Sequence, residues 1–175
     1  EEIRSTKGKI GVDLRPAQRH NKYRGIGRYI NSILSELVVL DTGNEYTFYF
    51  TKTLPNPLEE INIPKEFQYN TVYVPQKVSS KNRLFEMISK DYDTIELTKN
   101  EVDVFFQPDI SFGLPANVKT VTVFYDLIPL MFWNKEKTKR FKLKKRVKVT
   151  IAEEILKTKY KRSLSLYKRA NKILA

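Results

Sequence analysis

The chain lacks cysteine altogether and has one histidine, His20, in 175 residues. Without cysteine there is no disulfide scaffold, no thiolate metal site and no cysteine nucleophile. A single imidazole cannot build a histidine-based metal cluster. Long hydrophobic runs are missing as well. The longest, residues 121–133, is interrupted by Asp126 and Pro129 and is too short to span a bilayer. No signal peptide is visible, so a cytoplasmic location is expected. There is no internal repeat and no low-complexity tract. The chain begins at Glu1 rather than methionine, which suggests a fragment of something longer.

What is present describes a globular domain. Hydrophobic residues make up 41% and charged residues 30%, a balance that rules out a disordered chain. A length of 175 residues fits one domain with a real core. The net charge of +12 is concentrated in one place. Residues 135–172 hold 16 Lys/Arg and 3 acidic residues, a net of +13, against −1 for the remainder. Such a localised basic face suggests a polyanionic partner: an anionic membrane, a nucleic acid or an acidic domain.

Residues 9–40 organise the reading. Ile10, Val12 and Leu14 form a short apolar strand. A basic loop follows, and then a helix opening on Gly25-Ile26-Gly27. Ile26, Tyr29, Ile30, Ile33, Leu34, Leu37 and Val38 repeat at helical spacing on one face. Together these make a first βα unit. Turn chemistry at 41–44 ends the helix. Strands are expected at 45–50, 71–74, 102–106 and 118–125, with one beginning at Ile173. The proline-bearing stretch 51–67 and residues 110–116 are expected as loops. Helices are expected at 79–89, across 91–99, and from about 135 to 171. This alternation predicts an α/β domain, with a mostly parallel sheet covered by helices on both faces. Strands 45–50 and 71–74 could neighbour each other with no helix between them.

Several constellations could carry chemistry. Gly25 and Gly27 would let a ligand approach closely and leave backbone N–H groups free for an anion. The alternative is an ordinary turn with tight helix–sheet packing. No third glycine follows, so this is neither the dinucleotide fingerprint nor a Walker loop. Arg15, Arg19, Arg24 and Arg28 crowd the same loop, and arginine pairs bidentately with phosphate. They read otherwise as solvated charge. His20 reads as a loop residue. Tyr125-Asp126 closes the strongest strand, where α/β folds place catalytic groups and where an aspartate can equally cap a turn. Asp103 or Asp109 could pair with Asp126 as a carboxylate dyad. Residues 135–148 carry nine Lys/Arg and one Glu, among them Lys142, Lys144, Lys145, Arg146 and Lys148. This run suits an anionic membrane surface, or simply a solvated helix face. Nucleic acid is less favoured, because the aromatics sit in core strands rather than among the basic residues.

Three stretches in order resemble a known family. GVDLRPAQRHNKYRGIGRYINSILSEL resembles the N-terminal signature of GT-B glycosyltransferases of family 4. VFFQPD followed by VKTVTVFYDLIPLMFW is similar to a later strand and turn, which commonly ends His-Asp-Leu-Ile-Pro. YKRSLSLYKRANKILA is similar to the helix and strand after it. The resemblance covers nearly the whole chain. It implies a Rossmann-like N-terminal half, residues 1–175, that binds the acceptor. A C-terminal domain, absent from these residues, would bind the nucleotide sugar. It implies sugar transfer with retention of anomeric configuration and no metal or other cofactor. Gly25 and Gly27 match the loop lying against donor phosphates or acceptor, with Arg24 and Arg28 beside it. Asp126 matches the aspartate of the His-Asp pair, and Tyr125 stands in place of the histidine. The implied partners are a nucleotide sugar, a polysaccharide or lipid-linked acceptor, the missing domain and the inner membrane face. The alternative is a non-catalytic basic module that binds an anionic membrane or nucleic acid.

Overall fold

The computed structural model describes residues 7–18, 23, 25–41, 43–75, 94–97, 101–125, 158, 161 and 164–174. Its frame is a six-stranded sheet: β1 Lys9–Asp13, β2 Glu45–Phe50, β3 Tyr69–Tyr73, β4 Val104–Gln107, β5 Lys119–Val123 and β6 Lys172–Leu174. Every pairing is parallel, and the order is β3-β2-β1-β4-β5-β6. That is the doubly wound Rossmann-like order expected for an α/β chain. The order in which successive strands are laid down reverses between β1 and β4. Right-handed crossovers on the two sides of that point leave the sheet on opposite faces.

Two helices precede β2. The first, α1, is a single turn at Arg15–Gln18 within the stretch expected as loop. Its Pro16 suits a first helical turn, where no N–H partner is lost. The second, α2, spans Gly25–Leu40. Gly27, Ile30, Leu34 and Val38 are its buried face, at i, i+3, i+7 and i+11. That face packs on Val12, Tyr46, Phe48 and Phe50 of β1 and β2. Phe48 is fully buried, and each such ring stabilises the fold by about 1.5–3 kcal/mol.

Asp41 closes α2. Its carboxylate accepts from the N–H of Gly43 at 3.0 Å and of Asn44 at 3.2 Å, from the Asn44 amide, and from the Tyr46 hydroxyl. The Tyr46 hydroxyl, then the Asn44 amide, hold the Asp41 carboxyl below its ordinary range.

No α-helix joins β2 to β3. The connection contains only a 3-10 turn, Pro57–Glu60, with Asn56 as its cap. Leu58, Ile61 and Phe67 from this connection are buried in the core beneath α2. The irregular crossover thus covers the sheet as a helix would.

The opposite face has its own core of Tyr49, Ile95, Leu97, Val102 and Phe105. Here one expectation fails. Residues 94–97 are not helical but irregular, with Ile95 and Leu97 buried and Glu96 exposed. Alternate burial is the period of extended chain, and helical spacing would send one of the two apolar residues into water. Residues 110–116 also hold more order than a loop: a 3-10 turn, Ile110–Phe112, ends at Gly113 with φ 81°. Near the C-terminus, residues 164–167 are helical, and Leu166 packs against Ile110 and Leu114. The expected helix at 79–89 and most of that at 135–171 lie outside the described residues.

Gly11 in β1 is the tightest point of the second core. A Cβ there would lie 2.6 Å from Phe105 Cδ2 and 3.2 Å from Tyr49 Cε2. Both rings are fully buried and sit on the strands flanking β1. Gly11→Ala is expected to destabilise the chain by about 1–3 kcal/mol through overpacking, read by urea denaturation. Asp41 gives a second test. Its folded pKa is depressed, so its stabilisation is complete above the unfolded value and is lost as pH falls through the folded one. Asp41→Asn should flatten the stability-against-pH curve on the acid side of the unfolded aspartate value.

Candidate functional site

Reversal of strand order between β1 and β4 leaves a crevice at their carboxyl ends, where doubly wound domains bind ligands. In this chain the crevice floor is charged and buried. Asp13 ends β1 and Arg15 begins α1, and both are closed to solvent. Their ion pair is bidentate: Arg15 Nη2 donates to Asp13 Oδ2 at 2.7 Å and Nε to Oδ1 at 2.9 Å. The Arg15 backbone N–H donates to Oδ1 at 3.0 Å. From β4, Gln107 Nε2 donates to Oδ2 at 2.9 Å. Four donors on two oxygens fill the acceptor sites of a carboxylate. Asp13 is therefore a holding group rather than a base, and what it holds is Arg15. The guanidinium also lies over the Phe112 ring, 4.8 Å from its centroid.

Gln107 ties the crevice walls together. Its Nε2 also donates to the carbonyl of Asp109 at 3.0 Å. Its own carbonyl accepts from Thr122 Oγ1 of β5 at 2.8 Å. Asp109 caps the 3-10 turn, accepting from the Ser111 N–H at 2.9 Å. On the β2 side, the buried Gln18 amide donates to the carbonyls of Thr51 and Pro55 and accepts from the Thr51 N–H at 2.7 Å. That anchors α1 to the end of β2.

Above this floor stand Tyr125 and the start of α2. Tyr29, in the second turn of α2, meets Tyr125 edge-on at 5.6 Å and 86°. The α2 N-terminus thereby lies beside the carboxyl end of β5. Tyr125 is 37% exposed. Burial, then the negative charge of Asp109, then Tyr29 and Tyr167 hold its phenol above the ordinary tyrosine value. At neutral pH it is a protonated hydrogen-bond donor.

The sequence-derived candidates divide on this geometry. Gly25 is exposed, and a Cβ built there meets nothing within 4 Å. Its backbone is not in the left-handed region, Gly113 alone being so among the described glycines. Neither packing nor conformation requires a glycine at 25. Gly27 is buried on the inner face of α2, in line with Ile30 and Leu34. Arg28 is exposed on the outer side, and the first turn of α2 carries no acidic residue to offset its N-terminal dipole. Tyr125 joins the crevice. Asp103 does not, for its carboxylate accepts from the Lys9 N–H at 2.8 Å where β1 starts, at the far end of β4 from Asp109. Asp126, Arg24, Lys142, Lys144, Lys145, Arg146 and Lys148 lie outside the described residues, as do Arg19 and His20.

Asp13 and Gln107 were the residues that sequence reasoning passed over. A signal existed: each is a polar residue closing an otherwise apolar strand. Comparison with protein-family models, curated proteins and solved structures finds no match in any of the three. No helix among the described residues is long and apolar enough to cross a membrane.

The buried pair gives a direct test. Asp13→Ala strands a buried guanidinium and should cost about 3–5 kcal/mol in urea denaturation. Arg15→Met should cost a similar amount. The double variant should cost clearly less than the two together, since no unpaired charge remains.

Proposed function

We propose that this chain is the N-terminal, acceptor-side domain of a retaining GT-B glycosyltransferase. The observation that carries the reading is the placement of Tyr125 and the open Gly25 end of α2 together over the switch point of a β3-β2-β1-β4-β5-β6 sheet. The described part of the family-like stretch, residues 11–37, falls on β1, α1 and α2.

In this reading the crevice takes a sugar or lipid-linked acceptor, and a second domain supplies the nucleotide sugar. The bond from the anomeric carbon to the nucleotide phosphate breaks, and a bond to the acceptor oxygen forms. The acceptor proton leaves with the phosphate. Gly25, exposed at the start of α2, gives the backbone access to the reacting groups, with Gly27 buried beneath it on the inner face of the helix. Arg28 in the first turn of α2, with Arg24 preceding it in sequence, answers the phosphate charge. Tyr125 donates a hydrogen bond as a neutral phenol and Asp126 supplies the adjoining carboxylate. No metal or other cofactor enters. The basic run containing Lys142, Lys144, Lys145, Arg146 and Lys148 brings the enzyme to the inner face of an anionic membrane, each charge there contributing about 1 kcal/mol.

The test uses the native protein, captured from its source cells with an antibody to this chain. The expected mass is about twice the 20.6 kDa of these residues, since a second domain of similar size is required. The captured protein should move label from nucleotide sugars to a glycolipid or polysaccharide. Gly25→Ala in that protein should reduce transfer, while the stability of this chain stays equal or rises by up to about 1 kcal/mol. A native mass near 20.6 kDa without transfer would overturn the reading in favour of a basic binding module.

A further inference from the structure

Among the described residues β3 is an open edge of the sheet. All five of its residues are exposed, with Tyr69 at 41%, Val72 at 37% and Tyr73 at 53%. The hydrogen-bond parity of the ladder shows which backbone groups face outward. Gln68 O accepts from the Tyr46 N–H, and the Val74 N–H donates to Phe50 O. In a parallel ladder the even-numbered residues of β3 therefore turn their N–H and C=O groups toward β2, and Tyr69, Thr71 and Tyr73 turn theirs away.

Edge strands are ordinarily blunted by charge, proline or a bulge. β3 has none of these; its sequence is Tyr-Asn-Thr-Val-Tyr and it pairs with β2 in unbroken register. That sequence is also symmetric about Thr71 on its outward-bonding positions. An antiparallel copy centred there would place Thr71 opposite itself and Tyr69 opposite Tyr73, with no charge opposed to another.

The tyrosines belong to an aromatic row that runs out to this edge. Phe67 lies 6.2 Å from Tyr69, Phe48 lies 5.5 Å from Tyr69, and Phe50 lies 5.3 Å from Tyr73. A two-fold axis perpendicular to the sheet at Thr71 keeps both copies' rows on one face and makes them continuous. Cross-strand aromatic pairs of this kind stabilise antiparallel edges.

We infer that β3 is a self-association edge, pairing antiparallel with β3 of a second copy of this chain about a two-fold axis at Thr71. Each copy contributes the outward N–H and C=O groups of Tyr69, Thr71 and Tyr73. The interface is an isologous one, as a two-fold requires. It is independent of the glycosyltransferase reading, because β3 is at one sheet edge and the crevice lies between β1 and β4.

The test is amide hydrogen exchange and sedimentation of the 175-residue chain from about 1 µM to about 1 mM. Asn70 and Val72 amides should be protected at every concentration, since they bond β2. Tyr69, Thr71 and Tyr73 amides should gain protection only as the mass rises to the dimer. Thr71→Lys opposes two like charges across the axis and should raise the dimer dissociation constant by at least about tenfold. Thr71→Pro removes an N–H that β2 does not use, and should abolish the dimer while leaving the circular dichroism spectrum unchanged. A monomer at all concentrations overturns the inference. So does a dimer that leaves these three amides unprotected, or protection already complete at the lowest concentration, which would mean the chain covers its own edge.

Discussion

Asp13 holds two oxygens against four donors at the place where the sheet changes direction. Two of those contacts come from the Arg15 side chain, one from its backbone and one from Gln107 on the neighbouring strand. In a doubly wound sheet, the connections from the two central strands leave in opposite directions, and the carboxyl ends of β1 and β4 have nothing between them. Here a bidentate ion pair and an amide fill that gap. A buried ion pair is a weak source of net stability, because desolvation offsets most of the attraction. It does fix geometry, since each partner is costly to leave alone. The first turn of α1, the end of β4 and the Asp109 turn are all positioned from this one carboxylate.

Everything of chemical interest stands on that floor. Arg15 is held over Phe112, and Asp109 is set near Tyr125 through the bond from Gln107 to its carbonyl. Tyr125 in turn touches Tyr29, which carries the open N-terminus of α2 to the same edge. The crevice so formed has a neutral phenolic donor, a carboxylate and an accessible helix start.

Much of the architecture was legible in the chain. α2 at Gly25–Leu40 matches its sequence pattern because burial repeats at the helical period, and β2 at Glu45–Phe50 because a run of aromatic residues is buried on both faces of the sheet. The adjacency of β2 and β3 without an intervening α-helix was one possibility the prolines of 51–67 left open, and the structure adopts it. The helix expected across 91–99 fails over residues 94–97, where the charged Glu96 stands between two apolar residues. Ile95 and Leu97 instead find their partners, Tyr49 and Phe105, on the sheet. Of the site, Gly25 and Tyr125 could be picked out by residue type and position. Asp13 and Gln107 could not be joined, for 94 residues separate them and only strand pairing brings their side chains to 2.9 Å.

Hydrophobic periodicity, proline placement and alternation of elements are local properties, and they sufficed to specify an α/β domain with a largely parallel sheet. Composition alone removed cysteine chemistry and histidine metal clusters. The order of the strands is a different kind of fact. It depends on which apolar faces find each other across long stretches of chain, and no local pattern encodes that choice. The tertiary structure therefore decided that Asp13 is saturated, that Gly11 yields its Cβ space to Phe105 and Tyr49, and that β3 rather than β1 lies at an edge.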